Sequence, residues 1–374
     1  MPRKSPDIIL IGGGVIGLTI ARRFAKEGLS VALLEASQIG REASWAGAGV
    51  LAPPNPHRKD AVAELQLRSL AMYPAFCAEL MQESGIDPEY EPCGELEVAF
   101  DEAGLQVLRE DERAACGRRT PDGRPAYEVY SAEKLRHLEP VVSPQVVGAL
   151  ECREASQVRN PRLLRALQTA CRRMGVELCE NTPVRDFEVE GGRVTGVRID
   201  RDTVAATHVV LCAGAWSSRI GEQLKGIMPV HPVHGQMVLM KLDRRPFDRI
   251  IARGKTYLVP RRDGHILLGA TEEPEAGFTK RNTAGGIAGL KERAVRMAPR
   301  LAEAPVAAMW SGLRPGTPDD MPYIGPVPGL KGLIAATGHY RTGLSLAPAT
   351  AEVVASMILE RAYDLDLTCC LPGR

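Results

Sequence analysis

The apolar positions change period twice within the first forty residues. Ile8-Ile-Leu-Ile11 is a continuous apolar run, the pattern of a strand covered on both faces. Ile16, Ile20 and Phe24, with Ala21 and Ala25 beside them, then follow helical spacing up to Gly28. Ser30 to Leu34 is a second apolar run, and it ends in Glu35. The pattern predicts a strand–helix–strand unit.

Further along, a helix is expected from Asp60 to Ser84, with Leu65, Leu67, Leu70, Met72, Phe76 and Leu80 as its apolar positions and Pro74 kinking or dividing it. Glu95–Ala99 alternates like a strand. The charged stretch 101–124 reads as a solvated helix and a turn, and Ser131–Leu138 as a short helix closed by Pro140. Asn160-Pro161 suits a helix start, with Asn as N-cap and Pro at the first helical position. Strands are expected at 176–178, 184–189 and 193–199, the last two joined by Gly191-Gly192. A buried strand from Thr207 opens into the small-residue turn Cys212 to Ser217. Strands at 238–242, 256–259 and 265–268 then make a mostly antiparallel region, followed by a helix near 284–298. A strand at 333–336 precedes the loop Thr337 to Leu344 and a final helix over about 346–362. Neither an internal repeat nor a low-complexity segment interrupts this order.

The expected fold class is therefore α/β: a Rossmann-type domain assembled from residues 1–85, 145–225 and 310–374, and a second, mostly antiparallel-sheet substrate domain from 86–144 and 226–309. A chain of 374 residues is long enough for two such cores. A formal net charge of +1, with acids and bases interspersed, argues against nucleic acid as a partner. No apolar run is long enough for stable membrane insertion. Met1-Pro-Arg-Lys leads directly into the first strand, so no signal peptide is expected. The nine cysteines are scattered, with Cys369-Cys370 adjacent, and read as reduced thiols of a cytoplasmic protein. His231-x-x-His234 has Pro232 between its histidines and no ligand cluster nearby, so no metal site is expected.

The chemistry starts at Gly12-x-Gly14-x-x-Gly17, which falls between the first strand and its helix. In this context Gly12 permits a tight turn, Gly14 lets backbone N–H groups approach a pyrophosphate, and Gly17 lets helix and strand pack closely. Glu35 suits a ribose diol and would repel a 2′-phosphate. A glycine-rich turn without a ligand is the plainer alternative, and the fingerprint leaves FAD and NAD both open. The small-residue stretch 41–50, anchored by Trp45 and Val50, can lie against a flat ligand. The glycine loop 338–343, opening a helix, is a second device for binding an anion or carbonyl. With these two further places, the cofactor is a longer one than an ADP half and is expected to be FAD.

These pieces, in this order, resemble the D-amino-acid oxidase-like flavoproteins, and most of all their branch of bacterial glycine oxidases of thiamine biosynthesis. The similarity is carried by Ile11 to Gly17, Arg41 to Pro53, Cys212 to Ser217, Tyr257 to Arg261, Gly269 to Thr271, Trp310 to Asp319 and Thr337 to Gly343, and it covers nearly the whole chain. The resemblance implies oxidation of a small amine such as glycine or sarcosine. The imine is hydrolysed to glyoxylate and ammonia, O2 is reduced to hydrogen peroxide, and the protein is a homo-oligomer. It implies an arginine at Arg314 pairing with the substrate carboxylate, supported by Tyr257, with Arg341 beside the flavin. FAD would be held by Val15, Ile16, Glu35, Ala36, the 42–49 loop (Glu42, Ala43, Ser44, Gly47, Ala48, Gly49), Val184 and the 339–345 segment (His339, Tyr340, Arg341, Thr342, Gly343, Leu344, Ser345), besides the fingerprint glycines; Gly214 is a further cofactor candidate from its place in the turn that ends the Thr207 strand. Relatives with covalent flavin carry a cysteine near the position of Arg314. None stands there, so the flavin is expected to be non-covalent. Lys255 and Glu272 add charges where the family's pocket is often neutral or histidine-like, and His234-Gly-Gln236 departs from the usual pattern as well.

The residues agree with this chemistry. A planar guanidinium matches a carboxylate with two parallel hydrogen bonds. Arg314 has a structural alternative, pairing with Asp319 or Asp320; Tyr257 could be a core tyrosine, and Arg341 could simply sit beside flavin. The chain lacks a Ser/His/Asp or paired-carboxylate constellation, which favours hydride transfer from the substrate Cα over carbanion chemistry. His339 reads as a loop-capping donor rather than an acid or base, and the N–H row at 341–345 as a stabiliser of charge on reduced flavin. Kept beside the oxidase are a D-amino-acid or amine dehydrogenase passing electrons to quinone or another acceptor, an FAD-binding scaffold without activity, and a nicotinamide dehydrogenase.

Overall fold

A computed structural model of the chain describes residues 5–200, 202–224 and 226–374; Met1-Pro-Arg-Lys, on which the signal-peptide expectation rests, lies outside the described residues. The opening strand Ile8–Ile11 sits at the centre of a six-stranded sheet. The spatial order is Tyr323–Pro326, Leu333–Thr337, His208–Leu211, Ile8–Ile11, Val31–Leu34 and Glu177–Cys179, parallel except for the antiparallel edge at Tyr323–Pro326. All four residues of Ile8–Ile11 are buried because both sheet faces are covered. Ile8 and Leu10 face the helices Val15–Lys26, Ala61–Ser84, Asn160–Arg173 and Gly343–Ile358, while Ile9 and Ile11 face Val184, Phe187, Val194 and Val197 of the three-stranded sheet formed by Val184–Glu190, Arg193–Ile199 and Asp202–Ala205. Gly191 and Gly192, at φ 56° and 78°, turn the hairpin between the first two of these strands.

Two helix expectations change. Pro74 lies inside one continuous 24-residue helix, Ala61–Ser84. It is on the exposed face, where a carbonyl left without its N–H partner can reach water. The N-cap of this helix is Asp60, whose Oδ1 accepts from Ala63 N at 2.9 Å. Asp60→Ala is expected to lower stability by about 1 kcal/mol, seen as a lower melting temperature. Asn160 is the first residue of its helix rather than the cap, and its Nδ2 donates to Ser44 O at 2.7 Å, so the side chain is drawn to the 42–49 loop.

The second sheet has eight strands, ordered Val306–Gly316, His231–Lys241, His265–Gly269, Thr256–Pro260, Ile250–Arg253, Glu95–Ala99, Gly148–Cys152 and Tyr127–Ser131. Every pairing is antiparallel except that of Ile250–Arg253 with Glu95–Ala99. Two segments depart from the division drawn from sequence. Gly148–Cys152 and Val306–Gly316 belong to this sheet, although the sequence pattern places 145–225 and 310–374 on the nucleotide side. The reason is hydrogen bonding: Gly148–Cys152 pairs on both edges, and Val306–Gly316 pairs along the length of His231–Lys241. The helix Ala284–Met297 packs Leu290, Ala294 and Met297 on the sheet's core with Val238, Leu258 and Leu268. The closing helix begins at Gly343 and ends at Ile358, one turn earlier at each end than its apolar spacing suggests.

Candidate active site

A cavity of about 1140 Å3 lies between the carboxyl ends of the parallel strands and the eight-stranded sheet. Such switch regions of open α/β sheets are where ligands bind. Every expected site residue lines this cavity except Gly17. Gly17 acts on packing: a Cβ there would lie 2.0 Å from Gly12 O.

At one end, Gly12 has φ 109°, and a Cβ would lie 2.5 Å from Cys212 O. The turn is braced by side chains. Glu35 Oε2 accepts from Gly13 N at 2.8 Å and its Oε1 from Ser37 N at 3.0 Å; Ser44 Oγ accepts from Val15 N at 2.9 Å. Glu35 thus holds the glycine turn as well as lining the cavity beside Ala36. The helix Val15–Lys26 points its N-terminus here, and with it the partial positive charge of the helix dipole.

The middle of the cavity is the 42–49 loop, with its short helix Ala43–Ala46. Gly49, at φ 73°, lies so close to Val158 that a Cβ would be 1.9 Å from its carbonyl oxygen. Trp310 Nε1 donates to Ala46 O at 3.0 Å, the Trp45 and Trp310 rings are 5.3 Å apart, and Glu42 pairs with Lys280 at 2.9 Å. A further tie has no motif in the sequence to announce it. Arg261, 7% exposed, donates to Ala48 O at 2.6 Å, Val158 O at 2.9 Å and Gln157 Oε1 at 2.8 Å. Burial pushes its pKa down to about 10, which leaves it charged at neutral pH. Val184, Gly214 and Trp216 complete the wall.

The far side is the glycine loop. Thr342 N and Oγ1 both donate to His339 O at 2.9 Å, turning the chain into the helix Gly343–Ile358, whose first N–H groups belong to Gly343, Leu344 and Ser345. His339 Nε2 lies 3.2 Å from Thr350 Oγ1. Burial pushes its pKa down to about 3, so the ring is neutral at physiological pH and serves the loop rather than proton transfer. Tyr340 takes φ 46° in the same turn.

At the sheet end stand Arg314, Tyr257, Arg341, Lys255 and Glu272. Arg314 is carried by the strand Val306–Gly316, opposite Val233. Two glycines that face each other across the strands make its surroundings. A Cβ on Gly235 would lie 2.4 Å from Arg314 Nη1, and one on Gly312 would lie 2.6 Å from Ala46 Cβ. The guanidinium donates to Thr271 O at 3.2 Å. Its structural alternative fails at Asp319, which is held by Arg374 at 2.8 and 2.9 Å. Tyr257 Oη approaches Met237 Sδ at 3.8 Å. Burial raises the Tyr257 pKa, against a smaller opposing pull from Arg314 and Arg341, so the phenol is protonated. Arg341 is bound to Glu272, which also takes Lys255 Nζ at 2.7 Å. None of these links has a local sequence signal; only the unusual charges at 255 and 272 stood out.

An ADP half suits the glycine turn, a flat ring suits the small-residue walls, and a second helix N-terminus waits at the far side. The cavity therefore fits an extended dinucleotide and leaves a cationic end for a small acid. The family model for FAD dependent oxidoreductases (DAO) matches residues 7–357. A glycine oxidase of Pseudomonas aeruginosa is 39% identical over 366 residues, 97% of each chain. A bifunctional protein ThiO/ThiG of Trichormus variabilis is 35% identical over 363 residues, which are 96% of this chain but 53% of that longer protein. Among solved structures, the glycine oxidase of Geobacillus kaustophilus superposes with a TM-score of 0.92 at 31% identity, covering 99% of this chain and 98% of the other. FAD is accordingly the cofactor, and the chain belongs to the DAO family of FAD-dependent oxidoreductases.

Proposed function

We propose that this chain oxidises glycine, and with it sarcosine and small D-amino acids, at the carbon bearing the amine, in the service of thiamine biosynthesis. The overall reaction consumes amine, water and O2 and yields glyoxylate (or the matching oxo acid), ammonia or the corresponding amine, and hydrogen peroxide. The observation that carries this reading is the Arg314 guanidinium, cradled over Gly235 beside the protonated Tyr257 at the end of the cavity opposite the glycine turn. Two parallel charged hydrogen bonds from Arg314 would fix the substrate carboxylate, and Tyr257 Oη would donate a third. FAD, when bound, accepts the hydrogen and two electrons that leave the substrate carbon. The fingerprint glycines, Glu35, the 42–49 loop and the 339–345 segment would hold it. The N–H groups of Gly343, Leu344 and Ser345 would set partial positive charge where negative charge develops. With His339 held neutral, an amine that binds uncharged needs no protein base.

The flavin would be non-covalent: among the described residues Cys212 is the one cysteine lining the cavity, and it lies beside Gly12 of the glycine turn. All nine cysteines are free, the Cys369 and Cys370 sulfurs standing 3.9 Å apart, and no described helix is long and apolar enough to cross a membrane. We place the protein in the cytoplasm on the thiols, and expect a homo-oligomer from the family likeness. The test is a panel of amines added to the yellow protein with O2 uptake and peroxide both followed. Glycine should yield one peroxide per glyoxylate. Dye reduction without peroxide would make it a dehydrogenase using another acceptor.

A further inference from the structure

Arg314, Arg341 and Lys255 bring three cationic side chains to the substrate end of the cavity, and Glu272 lines it between two of them. One Glu272 carboxylate oxygen takes Lys255 Nζ at 2.7 Å, and the other takes the Arg341 guanidinium. Its side chain is 22% exposed, against 64% for Lys255 and 41% for Arg341, so Glu272 is the inner partner of the pair at the rim. The adjacent Thr271 holds Arg314 by its carbonyl, and Glu273 beyond it is fixed by Gln236 Nε2 at 2.7 Å and Thr271 Oγ1 at 2.7 Å. Glu272 therefore sits on an anchored segment that cannot swing away without dragging the support of Arg314.

The charges decide what this end can accept. One substrate carboxylate on Arg314 satisfies that guanidinium. The remaining cations, Arg341 and Lys255, are already engaged by Glu272. A second carboxylate on the substrate would meet the Glu272 anion and would have to displace it to reach either cation. In a partly screened site a unit charge a few ångströms away shifts relative affinity by about tenfold or more, enough to dominate selection between otherwise matched ligands.

We propose that Glu272 is a specificity-determining residue: it occupies the Arg341–Lys255 site as an internal carboxylate and so restricts the enzyme to monocarboxylate amines, excluding dicarboxylic ones. This rests on the reading of Arg314 as the carboxylate site. Replacing Glu272 by glutamine keeps the shape, removes the charge and opens a second carboxylate site.

The experiment uses the FAD-loaded protein and two pairs of compounds that differ by one carboxylate. Acetate and malonate, which are not oxidised, are titrated against the visible spectrum of the flavin; D-alanine and D-aspartate are compared by kcat/KM. In the parent, acetate perturbs the spectrum and malonate binds more weakly. In Glu272→Gln, malonate affinity relative to acetate, and kcat/KM for D-aspartate relative to D-alanine, should each rise by at least about tenfold. Lys255→Gln, at a largely exposed position, should move the malonate/acetate ratio the other way. Ratios that stay within about twofold of the parent in both variants, with acetate still bound, would overturn the proposal alone. Acetate failing to perturb the parent would contradict the Arg314 carboxylate site, and this proposal with it.

Discussion

Arg314→Ala is expected to raise KM for glycine by at least about tenfold while FAD stays bound. A hydrogen bond to a charged group is worth about 1.5–3 kcal/mol, and about 1.4 kcal/mol is a factor of ten. A carboxylate bridged by a guanidinium makes two such bonds. The size of the effect depends on how well Arg314 is preorganised, and here it is held from several sides. Thr271 O accepts from Nη1 at 3.2 Å, Gly235 leaves no side chain in its way, and Pro315 follows it opposite Pro232 at the end of the strand pair. Arg314→Lys should restore only part of the loss, because an ammonium cannot form the fork. Steady-state kinetics on protein of matched FAD content checks both variants. Unchanged KM in the alanine variant would put the carboxylate partner elsewhere.

Gly17→Val is expected to give protein that no longer retains FAD and melts at a markedly lower temperature. Overpacking an ordinary core costs about 1–3 kcal/mol, and here the first atom in the way is a backbone oxygen, Gly12 O, 2.0 Å from where the Cβ would stand. That oxygen cannot rotate aside. The helix Val15–Lys26 would have to lift from the strand Ile8–Ile11, which opens the turn that Glu35 and Ser44 brace. Gly285→Ala makes the control: beyond its chain neighbours and its own helix backbone nothing lies within 4 Å of its added Cβ, and it should keep both FAD and melting temperature. FAD content from the visible and ultraviolet absorbance, with a thermal melt, reads both. Full FAD retention by the valine variant would show that close helix–strand packing is not what forms the cofactor turn.

What the sequence made legible was what local physics decides. The unit Ile8 to Glu35 needs only an apolar run, three spaced glycines and a helical stripe, all within thirty residues. Glu95–Ala99, which alternates cleanly, was found to the residue. The strand Val306–Gly316 was not, because Gly312, Pro315 and Gly316 look like loop residues. In the sheet these glycines have a packing cause: Gly312 lies against Ala46, and a Cβ on Gly316 would meet His231 at 2.7 Å. The partner strand is legible in the sequence only from 238, yet it begins at His231 despite Pro232. A proline is tolerated there because His265–Gly269 pairs only with Val238 to Lys241, so the missing N–H breaks no ladder bond on that side. Ile250–Arg253, Asp202–Ala205 and Tyr323–Pro326 are four-residue strands whose pairing comes from neighbours rather than from their own pattern.

The site divides the same way. The residues expected to surround cofactor and substrate converge on one cavity, although they come from both chain ends and the middle. What tunes them was hidden. Arg261 reaches Ala48 across 213 residues, and Glu272 joins Lys255 to Arg341 through side chains alone. Hydrophobic period carries no information about either.

The most direct measurement is anaerobic addition of glycine to the purified yellow protein, followed by its visible absorbance, in the parent and in Arg314→Ala. Glycine should bleach the parent, and the variant at the same glycine concentration should keep its colour or bleach far more slowly. A parent that glycine leaves yellow, or a variant that bleaches as fast as the parent, would contradict the proposed function.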